Sequence, residues 1–329
     1  MKTVLNDLTQ LERLTAYDAR QVLMELASGK YNASQLAAFL TVYMMRPITL
    51  DELRGFRDAM LELCVPVTLD KPVMDVCGTG GDGKNTFNIS TLSAFVVAAA
   101  GQPVAKHGNY GVSSPCGSSN VLEYFGYRFT GDADTLKRSL DKANICFMHA
   151  PLFHPAMKSV ARVRRELGVK TFFNMLGPMV NPAFPQKQFI GVFSLELARQ
   201  YAYLYQQTDK QFMVVHSTDG YDEISLTGNF KYFNNSGEGL VAPSDLGFIP
   251  VEASAISGGA TVEESAAIFL NVLKNQATPQ QLAVVIANAA IALNCANPKV
   301  AIEDALFKAR EALESGKAYQ VFQLFINLP

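Results

Sequence analysis

Apolar positions at the start of the chain recur three and four residues apart. Val4, Leu8 and Leu11 share one helical face, and Ala19, Val22, Leu23 and Leu26 share another. Gly29 closes the second helix, and Asn32 with Gln35 opens a third. Thr49-Leu50-Asp51-Glu52 reads as a capping box, in which the Thr and Glu side chains each take a backbone N–H left free at a helix start. The helix it opens carries Leu53, Phe56, Met60 and Leu63 on its apolar face. Residues 1–65 therefore predict helices joined by short loops.

Beyond residue 70 the pattern changes. A short apolar strand over 72–76 runs into Gly78-Thr79-Gly80-Gly81-Asp82-Gly83, and a helix over 90–100 stops at Gly101. A second strand, 103–106, ends in His107-Gly108-Asn109. Helices follow over 117–125 and from Asp132, then a strand over 145–148 and a helix over 154–167. Strands over 189–193 and 212–216 flank a helix reaching about Gln207, and three helices near 261–274, 279–293 and 300–314 finish the pattern. Such alternation predicts an α/β fold, a mainly parallel sheet with helices on both faces. Ligands of such sheets bind beyond the carboxyl ends of the strands. The glycine loop, Lys106 to Asn109, His149 to His154, and Ser217 to Glu223 should thus line one crevice.

Composition narrows this picture without redirecting it. At 329 residues the chain exceeds one minimal core. A net charge of −2 removes any global attraction to nucleic acid or an anionic membrane, so an anionic ligand must be held by local groups. The five cysteines form no CxxC pair and read as reduced thiols of a cytoplasmic protein. The four histidines show no zinc-site spacing. Lys2, Asp7, Glu12 and Arg13 interrupt the first residues, which argues against a signal peptide. The longest apolar run, 92–101, is too short to span a membrane.

Gly78, Gly80 and Gly83 satisfy the dinucleotide pattern GxGxxG, and an NADP-dependent oxidoreductase is one reading of it. A Rossmann site wants an acidic residue about 20 positions on. Here no Asp or Glu stands between Asp82 and Glu123, and the second strand ends in Lys106 and His107 instead. That stretch also holds Lys84 and the small polar residues Thr79, Asn88, Ser90, Thr91, Ser113, Ser114, Ser118 and Ser119. Glycine-rich backbone, hydroxyls, a lysine and a helix start make a phosphate cradle. The plain alternative is a tight strand-to-helix turn capped by Ser90 and Thr91.

Asp222 and Glu223 follow a strand and suit Mg²⁺, which takes a few carboxylates plus water and phosphate oxygens. A polar turn is the alternative. In the helix over 154–167, Lys158, Arg162 and Arg165 share a solvated side, whereas Arg164 falls among Met157, Val160, Ala161 and Leu167. An arginine on an apolar face needs an anionic partner, either within the protein or on a ligand carboxylate.

Taken together, Gly78-Thr79-Gly80-Gly81-Asp82, Asn88-Ile89-Ser90-Thr91, Lys106-His107-Gly108-Asn109, Ser113-Ser114, Gly117-Ser118, Val121-Leu122-Glu123, His154-Pro155-Ala156-Met157, Arg164, Phe173-Asn174-Met175-Leu176-Gly177-Pro178, Asn181-Pro182 and Asp222-Glu223 resemble the anthranilate phosphoribosyltransferases. The resemblance runs in order over nearly the whole chain. It implies the fold of the nucleoside phosphorylase/phosphoribosyltransferase class III type. A small helical domain (residues 1–70, rejoined by part of about 155–185) accompanies an α/β phosphoribosyl-binding domain (71–329), with the active site in the cleft between them. It implies that Gly78, Thr79, Gly81, Asp82, Thr86, Asn88, Ser90, Thr91, Lys106 and Ser118 hold PRPP. Ser90, Asp222 and Glu223 would serve two Mg²⁺ ions. Gly78, His107, Asn109, His154, Arg164 and Gly177 would line the anthranilate path, with Arg164 nearest the carboxylate. It implies a homodimer as well. Tyr110, Pro115-Cys116 and Asn120 depart from the arginine, Lys-Ser and aspartate that many members carry.

The implied reaction displaces pyrophosphate from the anomeric carbon of PRPP by an aromatic amine whose lone pair is free at neutral pH. It calls for positioning rather than a strong base, and for no nucleophilic side chain. A pyrimidine nucleoside phosphorylase-like enzyme and a non-enzymatic nucleic-acid-binding relative compete with this reading. Arg164 with the glycine loop speaks against the first, and the acidic balance with Asp222-Glu223 against the second.

Overall fold

The computed structural model describes residues 1–111 and 115–328, so Ser113 and Ser114 of the hydroxyl set lie outside the described residues. The chain forms two compact units. One comprises Met1–Val67 and Ala150–Phe184; the other comprises Thr68–His149 and the chain from Pro185 onward.

The first unit is helical. Helices Lys2–Thr9, Ala16–Ala27, Ala33–Met45 and Leu50–Leu63 bury the apolar positions of their repeats. The predicted capping box forms at Thr49 with Glu52, and the helix start predicted at Asn32 with Gln35 proves to be a second one. Leu11 is a correction: it lies past the end of the first helix, takes a φ of 66° and is exposed. Three-residue spacing cannot show that the backbone has already turned. The segment 150–184 contributes the helix Lys158–Leu167, entered through a 3-10 turn at Pro155–Met157 rather than as the single helix predicted. Pro155 lacks the N–H and clashes with a continuous helix before it. Phe172 ties this segment into the unit, stacking on Phe56 at 4.4 Å and on Phe173 at 4.4 Å between ring centroids.

Glu52 is the polar centre of this unit. It is fully buried and accepts from the N–H of Leu14 and Thr49, the Tyr43 hydroxyl and the Arg46 guanidinium. Burial alone would raise its carboxyl, but Arg46 and the backbone donors outweigh that and lower it. A lowered carboxyl stabilises the fold above its unfolded pKa, and the contribution is lost as pH falls through the folded value. Removing one partner strands the other charge, so Glu52→Gln should destabilise the protein by about 3–5 kcal/mol. Thermal unfolding at neutral pH checks this, and an unchanged midpoint would remove Glu52 from the unit's energetics.

The second unit is built on a seven-stranded sheet in the order β3-β2-β1-β4-β5-β6-β7. The strands are β1 (Met74–Gly78), β2 (Val104–Gly108), β3 (Ile145–His149), β4 (Lys187–Gly191), β5 (Gln211–Ser217), β6 (Phe230–Asn234) and β7 (Gly237–Val241). The first five are parallel, while β6 and β7 run antiparallel at one edge. Strand β1 lies two residues later, and β4 two earlier, than the apolar runs suggested. The helix Pro279–Ala296 corrects the membrane-length expectation, because it is long and apolar enough to cross a membrane. It packs instead against β4, β5 and the helices Ile89–Ala99 and Ile302–Glu314. A further helix, Lys317–Ile326, lies beyond the three that the pattern predicts.

Candidate active site

Strand β1 pairs with β2 on one side and β4 on the other, so chain direction across the sheet reverses there. Such a switch point opens a crevice at the carboxyl ends of the strands. The loop leaving β1 holds Gly80, Gly81 and Gly83 at φ of 63°, 78° and 76°, a left-handed backbone that side chains disfavour. The Thr79 hydroxyl and the Asn88 amide oxygen are buried in this loop without a hydrogen-bond partner among the described residues. Buried polar atoms are rarely left so, and both suit a ligand rich in phosphate and hydroxyl groups. The helix Ile89–Ala99 begins at Asn88, whose side chain does not cap it but donates to the Cys116 carbonyl at 3.0 Å. Thr86 pairs with Ser257 in an isolated bridge that fixes the far end of the loop.

The acidic segment after β5 crosses the ends of β1 and β4. A Cβ on Gly78 would stand 2.8 Å from the Asp222 carboxylate, and one on Gly191 1.6 Å from the Asp222 carbonyl oxygen. Only glycine fits under this crossing. The Ser217 hydroxyl donates to the Glu223 carbonyl at 2.6 Å. Asn288, fully buried in the helix Pro279–Ala296, accepts the Ile224 N–H at 3.1 Å and donates to its carbonyl at 2.8 Å. Gly191 and Asn288 escape a reading of the sequence. A lone asparagine amid apolar helix positions is the one local signal.

Asp222 and Glu223 are 5% and 9% exposed, and among the described residues neither forms an ion pair. Burial, reinforced by mutual repulsion and by Asp82, pushes Asp222 well up. Burial likewise raises Glu223 to about 7, against the pull of Lys106. Two buried carboxylates without a cationic neighbour at contact distance fit a divalent cation. Among the described residues no three His, Cys, Asp or Glu side chains cluster as a metal cage. An ion here would draw its other ligands from water and phosphate, as Mg²⁺ does.

Lys106 is 2% exposed, its ammonium donating to the Val76 carbonyl at 2.6 Å. Lys84 rests over the Tyr221 ring at 4.9 Å. Asn109 sits at the exposed end of β2, where its carbonyl accepts from the Ser118 hydroxyl and the Ser119 N–H. The His107 N–H donates to the buried Asp75 carboxylate at 3.1 Å.

In the first unit, Arg164 is half-buried, with its guanidinium 5.1 Å over the Phe173 ring and one N–H donating to Asn174 at 3.3 Å. Burial lowers its pKa, and it has no carboxylate partner among the described residues. The predicted apolar face is shifted: Ala161 is exposed, and Val163 joins Val160 in the interior. Lys158, Arg162 and Arg165 are exposed, as expected. His154 is buried, and burial takes it down to about 4, so it is a neutral imidazole at pH 7. Gly177 begins a short turn, Gly177–Met179, and faces open space where a side chain would stand.

Residues 70–319 match the profile of the glycosyl transferase family α/β domain, and residues 2–64 that of the helical bundle domain of the same family. An anthranilate phosphoribosyltransferase of Christiangramia forsetii is 56% identical over 98% of both chains. One of Bacteroides thetaiotaomicron is 50% identical over 100% of this chain and 99% of its own. Among solved structures, the anthranilate phosphoribosyltransferase of Thermus thermophilus aligns with a TM-score of 0.90 at 33% identity over 98% of each chain. That of Saccharomyces cerevisiae in complex with PRPP and Mg aligns with a TM-score of 0.90 at 26% identity, over 98% of this chain and 96% of its own.

Proposed function

The chain belongs to the anthranilate phosphoribosyltransferase family, and on that premise we infer that it joins the 5-phosphoribosyl group of PRPP to the amine of anthranilate, releasing pyrophosphate. This is pentosyl transfer in tryptophan biosynthesis, and it leaves the oxidoreductase, phosphorylase and nucleic-acid-binding readings without support. The observation that carries it is the crossing of the Asp222-Glu223 segment over the glycine loop at the sheet's switch point. Pyrophosphate release should require both PRPP and anthranilate. Release with PRPP alone would break the assignment of the acceptor.

The loop residues Gly78, Thr79, Gly81, Asp82, Thr86 and Asn88 hold PRPP, with Ser90 and Thr91 at the helix start and Ser118 beyond β2. Thr79 and Asn88 offer the buried, unpartnered polar atoms that such a ligand satisfies. Asp222, Glu223 and Ser90 hold magnesium, two ions in all. A bound divalent ion would neutralise charge developing on the leaving pyrophosphate. As the family resemblance implies, Gly78, His107, Asn109, His154, Arg164 and Gly177 serve anthranilate. The guanidinium of Arg164 meets its carboxylate in a planar, bidentate pair. The acceptor amine needs orientation rather than deprotonation, so no side chain acts as a strong base. We also expect a homodimer: Leu11, Tyr17, Met44 and Met45 expose apolar surface on the helical unit, and light scattering reads the state directly. The five free, buried cysteines suit a reducing cytoplasm.

Lys106 places a buried positive charge beneath the end of β1. Lys106→Ala should weaken PRPP binding by about ten- to a hundredfold, the roughly 1.5–3 kcal/mol of a charge-assisted contact. The anthranilate KM should hardly move. Lys106→Met keeps most of the stem's volume and separates lost charge from lost packing. Calorimetry in Mg²⁺ checks the effect, and equal PRPP affinities in parent and both variants would place the phosphate site elsewhere.

A further inference from the structure

Strand β1 pairs with β4 over Met74–Gly78 and β2 pairs with β3 over Val104–Gly108, whereas β1 and β2 pair with each other at Met74 and Val104. The Met74 N–H donates to the Pro103 carbonyl at 2.9 Å. In a parallel ladder of that phase the His107 N–H would go on to the Val76 carbonyl. Side chains take both ends of that bond instead. The His107 N–H donates to Asp75 Oδ1 at 3.1 Å, and the Val76 carbonyl accepts from the Lys106 ammonium at 2.6 Å. A side chain of each strand thus holds the backbone of the other, and the strands part towards their carboxyl ends, where the crevice opens. Asp75 is fully buried in a central strand. A carboxyl group there costs free energy unless it is hydrogen-bonded. An apolar residue with the ladder bond restored would satisfy the same two backbone groups, so sheet formation alone does not call for Asp75.

We propose that Asp75 is a positioning residue for phosphoribosyl transfer: by drawing the His107 N–H to itself it leaves the Val76 carbonyl to Lys106, and so sets the Lys106 ammonium between the parted ends of β1 and β2. Being fully buried, Asp75 acts through Lys106 and His107 rather than on a substrate. Without its acceptor oxygen the ladder closes, the His107 N–H takes the Val76 carbonyl, and the ammonium loses the group that holds it. The backbone that runs from His107 into Gly108 and Asn109 moves with the closing strand. This rests on the reading of the site as one that binds PRPP.

Calorimetric titration of the full-length protein with Mg·PRPP tests the inference, run well below the melting midpoint of each variant so that lost contact is not confused with lost fold. Asp75→Leu is close to the carboxyl group in size but accepts no hydrogen bond, and it should bind Mg·PRPP at least about tenfold more weakly than the parent, as a displaced charge-assisted contact implies. Asp75→Ala lacks the acceptor too; it should show the same loss and serves if leucine is not tolerated. Asp75→Asn keeps an oxygen for the His107 N–H and should stay within about threefold of the parent. Parent-like affinity in a folded Asp75→Leu or Asp75→Ala would overturn the proposal and leave Asp75 to the sheet alone. A loss in Asp75→Asn as large as that in Asp75→Leu or Asp75→Ala would overturn it as well, because charge and not the held N–H would then decide. Binding of Mg·PRPP by the parent keeps the two readings apart. Its absence overturns the site reading and the positioning role with it, whereas parent and variants binding equally overturns the positioning role alone.

Discussion

Replacing Asp222 by asparagine together with Glu223 by glutamine should lower turnover by roughly two to three orders of magnitude and raise the Mg²⁺ concentration needed for half-maximal rate. The magnitude follows from the several kcal/mol of charge stabilisation that a bound divalent ion supplies, at about 1.4 kcal/mol per tenfold in rate. Both substitutions keep shape and remove charge, and the segment's backbone is fixed by Ser217 and Asn288 rather than by the two carboxylates. The native pair is buried and lacks an ion-pair partner among the described residues, so the neutral variant should fold at least as stably as the parent. Loss of activity with an unchanged or raised melting temperature is therefore the expected combination. A magnesium titration superimposable on that of the parent would reduce the pair to a polar turn.

Arg164→Ala should raise the anthranilate KM by about ten- to a hundredfold, the roughly 1.5–3 kcal/mol of a hydrogen-bonded charge contact. The PRPP KM should stay near that of the parent. The guanidinium is held ready by the Phe173 ring and by Asn174, and Phe173 in turn stacks on Phe172 in the aromatic core of the helical unit. An arginine so placed, with no carboxylate partner among the described residues, keeps its planar fork for a ligand. Arg164→Lys should recover only part of the affinity, because an ammonium cannot make the bidentate contact. An unchanged anthranilate KM in a folded Arg164→Ala variant would show that Arg164 serves the helical unit alone.

What the sequence reveals is mostly what is local. The capping boxes at Asn32 and Thr49 are three-residue relationships, and both form. The alternation of strands and helices follows from short apolar runs, and five parallel strands result. The edge strands β6 and β7 are hidden because exposed positions such as Gly237, Glu238 and Leu240 break the alternation that marks a half-buried strand. The glycine loop and the Asp222-Glu223 pair can be singled out separately. Their meeting depends on the register of β1 beside β4 and on the space left by Gly78 and Gly191, which no local pattern encodes. Lys106 shows the same limit: nothing local to a lysine at a strand end tells that the neighbouring strand supplies the Val76 carbonyl that holds it inside. Arg164 stands out by helical phase, although the turn at Pro155 shifts the face it lies on.

The most direct measurement of the central claim is the fluorescence of anthranilate on mixing with the purified protein, PRPP and Mg²⁺. The account predicts a progressive loss of fluorescence that stops when the limiting substrate is consumed, with one pyrophosphate released per anthranilate lost. Omitting PRPP, or adding EDTA, should abolish it. Fluorescence that stays constant with all three components present and the protein folded would contradict the assignment.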